Sequence, residues 1–242
     1  MKKRTIGKIN KENFNYRIED VGSVGIFGAA GTGKTFLGIS LSKQYLKATD
    51  TNQLILCSTS NSSQRKEPYY KRHFEQELQG RIRYVESKGE GKKTSGMENV
   101  IKELGKVKKE IINRQNSTKT ATSLLIMIDD IHRPTIDLRL KHPELYTKYI
   151  EAISFIAEHG KAVHVFLIVT AQSCVTNECP RNLVDSLKGY FLFNTLEREF
   201  TRLSMYKTEN LHTPKKTGEC WYRNATSLDT VGIRIDNLIP IS

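Results

Sequence analysis

The sequence predicts an α/β protein: a mostly parallel central sheet flanked by helices, with a β-rich C-terminal extension. Three observations predict it. Val24, Ile26 and Phe27 form a short apolar strand that runs into a glycine-rich turn and then a helix from Phe36 to Leu46. A second apolar run, Leu124-Leu125-Ile126-Met127-Ile128, ends in Asp129-Asp130. That is the pattern of a doubly buried strand delivering a carboxylate to the C-terminal edge of a parallel sheet. A third strand, Val163 to Val169, follows a helical stretch from Glu144 to His159 and ends in Thr170-Ala171-Gln172. Strands alternating with helices build parallel sheets.

The glycine-rich turn carries chemistry. Gly28-Ala29-Ala30-Gly31-Thr32-Gly33-Lys34-Thr35 fits G-x-x-x-x-G-K-[ST], the phosphate-binding P-loop, in the strand-turn-helix setting the motif requires. Gly28, Gly31 and Gly33 let the backbone curl so that successive N–H groups point at phosphate oxygens, and the helix that follows adds its positive end. The candidate nucleotide-binding residues are therefore Gly28, Ala29, Ala30, Gly31, Thr32, Gly33, Lys34, Thr35 and Phe36. Lys34 is placed to reach the β- and γ-phosphates, and the Thr35 hydroxyl to hold Mg²⁺. ATP and Mg²⁺ are the implied cofactors.

Asp129, 95 positions after Lys34, is the candidate second metal residue, acting through water, and Asp130 is the candidate to orient or polarise the attacking water. Most ATPases of this kind place Glu at the second position. Asp is one methylene shorter and must sit closer or work through another water. Gln172, just past the third strand, suits sensing of a γ-phosphate and positioning of water; a Gln that satisfies loop backbone reads the same way.

The remaining chain is read in order. Residues 1–20 are polar and mixed in charge, compatible with a basic arm or with a strand added beside the core; residues 21–242 form the expected ATPase domain, C-terminal strands included. Leu54 to Cys57 is a short strand, and Ser58 to Pro68 a polar loop. Tyr69 to Leu78 (YYKRHFEQEL) is helical in character; its aromatic and basic residues suit base stacking or phosphate contact as well as a half-buried helix start. Lys88 to Gly96 reads as a flexible loop. Glu98 to Gln115 is an amphipathic helix with Val100, Leu104, Val107 and Ile111 on one stripe and Lys102, Lys106 and Lys109 on another. Ile131 to Pro143 reads as an irregular basic loop, Tyr190 to Phe193 as a strand, and Glu219–Tyr222 with Thr230–Ile235 as a hairpin.

Bulk properties narrow the partners. The 242 residues carry a formal net charge of +12, well beyond what ATP requires, which points to a polyanion and to nucleic acid before membrane. Cys57, Cys174, Cys179 and Cys220 make no C-x-x-C pair and no metal-ligand spacing with the histidines, so four reduced thiols of a cytoplasmic protein are expected. No apolar run approaches the ~18 residues of a membrane span, and the basic start, which lacks an apolar h-region, is not expected to act as a secretory signal.

In order, the P-loop, Asp129-Asp130 and GKAVHVFLIVTAQ (Gly160 to Gln172) resemble the FtsK–HerA superfamily of DNA-pumping ATPases, whose third element reads G-R-A, apolar strand, T-Q. Glu110-Ile111-Ile112-Asn113-Arg114 is similar to the E-M-x-x-R segment before the acidic strand in that family. Cys179-Pro180-Arg181-Asn182-Leu183 and the strand after it resemble the P-x-x-R-x-N stretch of poxvirus-type genome-packaging ATPases. Two departures stand out: the G-R-A arginine is Lys161, and T-Q is spread to Thr170-Ala171-Gln172.

The resemblance implies a RecA-like P-loop fold and ATP hydrolysis that moves double-stranded DNA. It implies a homo-oligomeric ring, a pentamer or hexamer, with active sites at subunit interfaces and a basic residue supplied by a neighbour. Lys161 is the aligned candidate, a point charge in place of a fork; Arg181 and Arg139 are the others. Packaging of a viral genome is the favoured role, with capsid vertex or portal proteins as partners in the host cytoplasm or virion. A conjugation- or segregation-type pump fits nearly as well. A DnaC-like AAA+ loader acting as an ATP switch is the alternative from another class. The long Lys34–Asp129 interval and the strands that follow Gln172 count against it.

Overall fold

The computed structural model describes residues 5–9, 12–59, 67–86, 97–117, 121–174, 179–194, 214, 216–226 and 230–235. In chain order the elements are β1 (Thr5–Ile9), β2 (Glu12–Asn15), α1 (Ile18–Val21), β3 (Ser23–Phe27), α2 (Lys34–Ala48), β4 (Gln53–Ser58), α3 (Glu67–Lys71), α4 (Gln76–Gln79) and β5 (Ile82–Glu86). Then come α5 (Glu98–Gln115), β6 (Leu124–Asp129), α6 (His132–Lys141), α7 (Pro143–His159), β7 (Val165–Ala171), α8 (Arg181–Ser186), β8 (Gly189–Leu192), β9 (Glu219–Asn224) and β10 (Thr230–Arg234).

Among the described residues the strands form one sheet in the order β2-β1-β10-β9-β8-β3-β7-β6-β4-β5. The run from β8 to β5 is parallel, and β9, β10, β1 and β2 extend it antiparallel. Every residue of β3, β6 and β7 is buried, as the near-continuous apolar runs require of strands covered on both faces. Parallel pairing in register, with Ser58 opposite Asp129 and Phe27 opposite Ala171, brings the C-terminal ends of β3, β7, β6 and β4 to one edge. The P-loop, Asp129 and Gln172 lie along that edge.

Helices cover both faces. Ile55, Ile126, Ile128, Leu167 and Val169 pack beneath α5, α7 and α8. Leu54, Leu56, Leu125, Met127 and Ile168 pack on the other side with α2 and with Tyr70, Phe74 and Leu78. In α5 the buried Val100, Leu104, Val107 and Ile111 trace the stripe read from the sequence. Pro143 opens α7 at the first turn, where its missing N–H costs nothing.

Several elements differ from the sequence reading. Ile131 to Pro143 is not an irregular loop: α6 fills it, anchored by buried Leu138 and by Thr135, whose Oγ1 donates to Ile131 O at 2.6 Å. Tyr69 to Leu78 is two short helices. Val163 ends a short 3₁₀ turn begun at Lys161, and β7 starts at Val165 and takes in Thr170 and Ala171. The β5 strand had no counterpart in the sequence reading. The N-terminal segment supplies β1, antiparallel to β10 with Lys8 opposite Arg234, and β2. Lys88 to Gly96 lies outside the described residues, as does most of the Ser58–Pro68 loop. No described helix is long and apolar enough to cross a membrane.

Candidate nucleotide site

The P-loop leaves β3 under tight constraint. Gly28 N donates to Ala171 O at 3.3 Å and Ala29 N to Asn194 O at 2.7 Å, so the ends of β7 and β8 brace it from both sides. A Cβ on Gly28 would lie 2.7 Å from Phe193 Cβ, and its φ of 150° disfavours any side chain. Gly33 takes φ 108° as α2 begins. Ala29, Ala30 and Gly31 are exposed, Thr32, Gly33, Thr35 and Phe36 half-buried, and Lys34 buried. Lys34 Nζ donates to Ala29 O at 2.6 Å and Thr32 Oγ1 to the same oxygen at 2.9 Å. A phosphate oxygen, being charged, is a stronger acceptor than that carbonyl. The C-terminal extension also touches the loop, since Gly218 N donates to Thr32 O at 3.3 Å.

Asp129 is the hub. It is fully buried at the end of β6, and a buried carboxylate needs donors. Oδ1 accepts from Thr35 Oγ1 at 3.0 Å and Thr170 Oγ1 at 2.6 Å; Oδ2 accepts from Tyr70 Oη at 2.8 Å. Thr170 is thereby tied to the acid, not to Gln172. Tyr70 and Thr59 were missed in the sequence. Thr59 Oγ1 donates to Asp129 O at 2.8 Å and also to Asp130 O. Neither belongs to a spaced motif, and only the aromatic-basic character of Tyr69–Leu78 pointed near Tyr70.

Asp130 turns away from the strand in the left-handed region, φ 63°, held by its N–H donating to Thr170 Oγ1 at 2.8 Å. Asp is one of the few residues that tolerate this conformation. Its neighbour Tyr149 is fully buried, and burial, followed by the nearby Cys57, Asp130 and Cys179, pushes the phenol well above its usual pKa. Gln172 is exposed directly past β7, between the P-loop strand and the acid strand.

The basic candidates fall at two places. Lys161 precedes β7, so it lies at the opposite edge of the sheet from the P-loop, where Nζ donates to Asp20 O at 2.5 Å. Arg181 opens α8, the next described helix after β7, exposed and paired with Asp185 at 3.4 Å. Arg139 is exposed on α6, the helix that leaves the edge after Asp130. The structure therefore brings together Lys34, Thr35 and Asp129, sets Asp130 and Gln172 along the same edge, and leaves Lys161 outside.

This fold and site define a P-loop ATPase. The chain belongs to the family described as type III restriction enzyme, res subunit, which matches residues 4–171 and is a P-loop helicase-type domain. No curated protein sequence matches it. Among solved structures the neighbours include a conjugation coupling protein, a type VII secretion ATPase and a viral genome packaging NTPase. The pCW3 conjugation coupling protein TcpA, solved with ATPγS, aligns with a TM-score of 0.68 at 12% identity, over 96% of this chain and 64% of its own. EssC (ATPases 2 and 3) from Geobacillus thermodenitrificans gives 0.68 at 16%, over 97% and 44%. The genome packaging NTPase of Sulfolobus turreted icosahedral virus 2, solved with AMPPCP, gives 0.53 at 14%, over 88% and 96%. Identities this low establish the shared fold. The chain spans less than two thirds of TcpA and under half of the EssC fragment.

Proposed function

We propose that this chain hydrolyses ATP to move double-stranded DNA, as a homo-oligomeric ring that packages a genome into a capsid. The observation that carries the hydrolytic part is the contact between Thr35 Oγ1 and Asp129 Oδ1 at 3.0 Å, with Lys34 on the same loop. DNA as the partner is supported by the charge of +12 and by the fold's occurrence in a conjugation coupling protein and a genome packaging NTPase.

Mg²⁺ fits these residues. Adjacent ligands on an octahedral ion with bonds of about 2.1 Å stand about 3.0 Å apart, the separation of the Thr35 and Asp129 oxygens. Thr35 and Asp129 would hold the ion, directly or through water, and the ion would draw charge from the phosphates. Lys34 binds the β- and γ-phosphates. Asp130 and Gln172 position the attacking water, and a cation from the neighbouring subunit completes the site. Lys161 can serve there only across an interface, because it lies at the far edge of its own sheet. Arg139 and Arg181 follow the C-terminal ends of β6 and β7 in the chain and are exposed.

Displacement of a triplex-forming strand from duplex DNA tests the motor. ATP-dependent, directional displacement is expected. Hydrolysis without displacement, with ATP-gated binding of a partner protein instead, would move the chain to the loader class. The conjugation-type pump, which the alignment with TcpA favours, predicts the same displacement and differs only in its physiological partner.

A further inference from the structure

The two oxygens of Asp129 face different parts of the molecule. Oδ1 meets Thr35 of the P-loop helix and Thr170 of β7, whereas Oδ2 accepts from Tyr70 Oη at 2.8 Å. Tyr70 is 1% exposed, yet the residues beside it reach the surface. Its ring meets Tyr69 edge-on with centroids 5.2 Å apart. Tyr69 is half-buried and carries Arg72, whose guanidinium lies 4.7 Å from the ring centroid, and His73 at 5.1 Å. Arg72 is exposed. A buried contact to the metal-site carboxylate and an aromatic-basic surface thus belong to one short turn of chain.

That turn is tied together by its own backbone hydrogen bonds. His73 N donates to Tyr70 O at 2.9 Å and Phe74 N to Lys71 O at 3.1 Å. Phe74 is buried beyond it. Glu75 pairs with Lys43 at 3.4 Å and Lys47 at 2.5 Å, which fastens the segment to α2, the helix that begins at the P-loop. No flexible joint separates Arg72 from Tyr70. Aromatic rings with neighbouring guanidinium groups are what nucleic acid contacts use, the cation for phosphate and the ring face for a base or for the cation itself.

We propose that Tyr70 is a positioning residue that couples nucleic-acid contact at Tyr69 and Arg72 to the carboxylate of Asp129. A phosphate drawn to Arg72 shifts the turn, and the shift arrives at Asp129 as a changed hydrogen bond on Oδ2. That bond sets the orientation and charge of the oxygen opposite, Oδ1, on which Thr35 and the metal site depend. Turnover therefore responds to DNA. The inference rests on the reading of the chain as a DNA-dependent ATPase.

The test is steady-state ATPase of the full chain with and without saturating double-stranded DNA, alongside DNA binding by fluorescence anisotropy. Wild-type, Tyr70→Phe and Arg72→Ala are compared. Tyr70→Phe is expected to keep DNA affinity and the KM for ATP within about threefold, while the ratio of kcat with DNA to kcat without falls to near one. Arg72→Ala is expected to weaken DNA binding, lower its salt slope by about one, and lower the same ratio. An equal loss of kcat with and without DNA in Tyr70→Phe, ratio unchanged, marks a merely structural hydroxyl and overturns the inference; so does a wild-type ratio. If Tyr70→Phe fails to fold, Arg72→Ala at the surface decides, and a wild-type ratio there overturns the inference. A wild-type chain that DNA does not stimulate overturns the DNA reading and this inference together.

Discussion

Thr35 Oγ1 donates to Asp129 Oδ1 across 3.0 Å and 94 positions of sequence. The contact exists because β3 and β6 flank β7 in parallel register, so a helix leaving β3 and an acid ending β6 meet at one edge. Local patterning of two short segments and a sheet order between them are enough to build the site.

Lys34 reaches across the loop to Ala29 O, and the proposed function has it meet the β- and γ-phosphates there. Lys34→Ala is expected to lower kcat by at least about 10²–10³-fold, the loss typical of one preorganised charge donor. Steady-state phosphate release measures it, and substantial hydrolysis by the variant would sink the assignment.

Asp129→Asn removes a charge while keeping the shape of the side chain. Wild-type affinity for a fluorescent ATP analogue should tighten when Mg²⁺ is added; the variant's should not change. Equal tightening in both would remove Asp129 from the metal site.

Gly160 joins α7 to the turn before β7 at a place with no room for a side chain. A Cβ there would lie 2.5 Å from Val165 O and 2.6 Å from Ile156 O, both backbone atoms. Gly160→Ala is expected to cost about 1–3 kcal/mol, read as a lower melting temperature by about 2–4 °C for each kcal/mol in a chain of this size. A melting temperature equal to that of the wild type would contradict the packing.

Stability should fall in alkali. Burial pushes the Cys57 thiol up to about 12, and burial, followed by the neighbouring charges, pushes the Tyr190 and Tyr222 phenols up to about 12. In the unfolded chain these groups ionise near ~8.5 and ~10. A raised folded pKa means that the folded state holds the proton longer, so the contribution is complete below the unfolded pKa and is lost as pH rises through the window up to about 12. Urea midpoints should be insensitive to these groups at pH 7–8 and decline from about pH 9 upward. A midpoint constant to pH 10.5 would contradict their burial.

Much of the site was legible because it is local. The P-loop is contiguous, and the strand that ends in Asp129 is a buried run of one character. What the sequence hid was contact between segments with weak patterns. Among the described side chains of α6 the core is met mainly by Thr135 and Leu138, with Ile131 before them, too few apolar positions to draw a stripe. The β5 strand is half-buried and interrupted by Arg83, so it shows neither alternation nor an apolar run. Tyr70 reaches Asp129 from another part of the fold, and no spacing rule relates residues 59 positions apart. Lys161 matches a motif position by spacing, yet chain direction puts it at the edge remote from its own P-loop.

The most direct measurement is ATPase activity with and without double-stranded DNA at low and moderate salt. A DNA-engaged motor predicts strong stimulation that weakens as salt rises, because phosphate contacts are lost to competing counterions. Turnover indifferent to DNA at every salt concentration would contradict the account and leave a P-loop ATPase whose basic surface serves another partner.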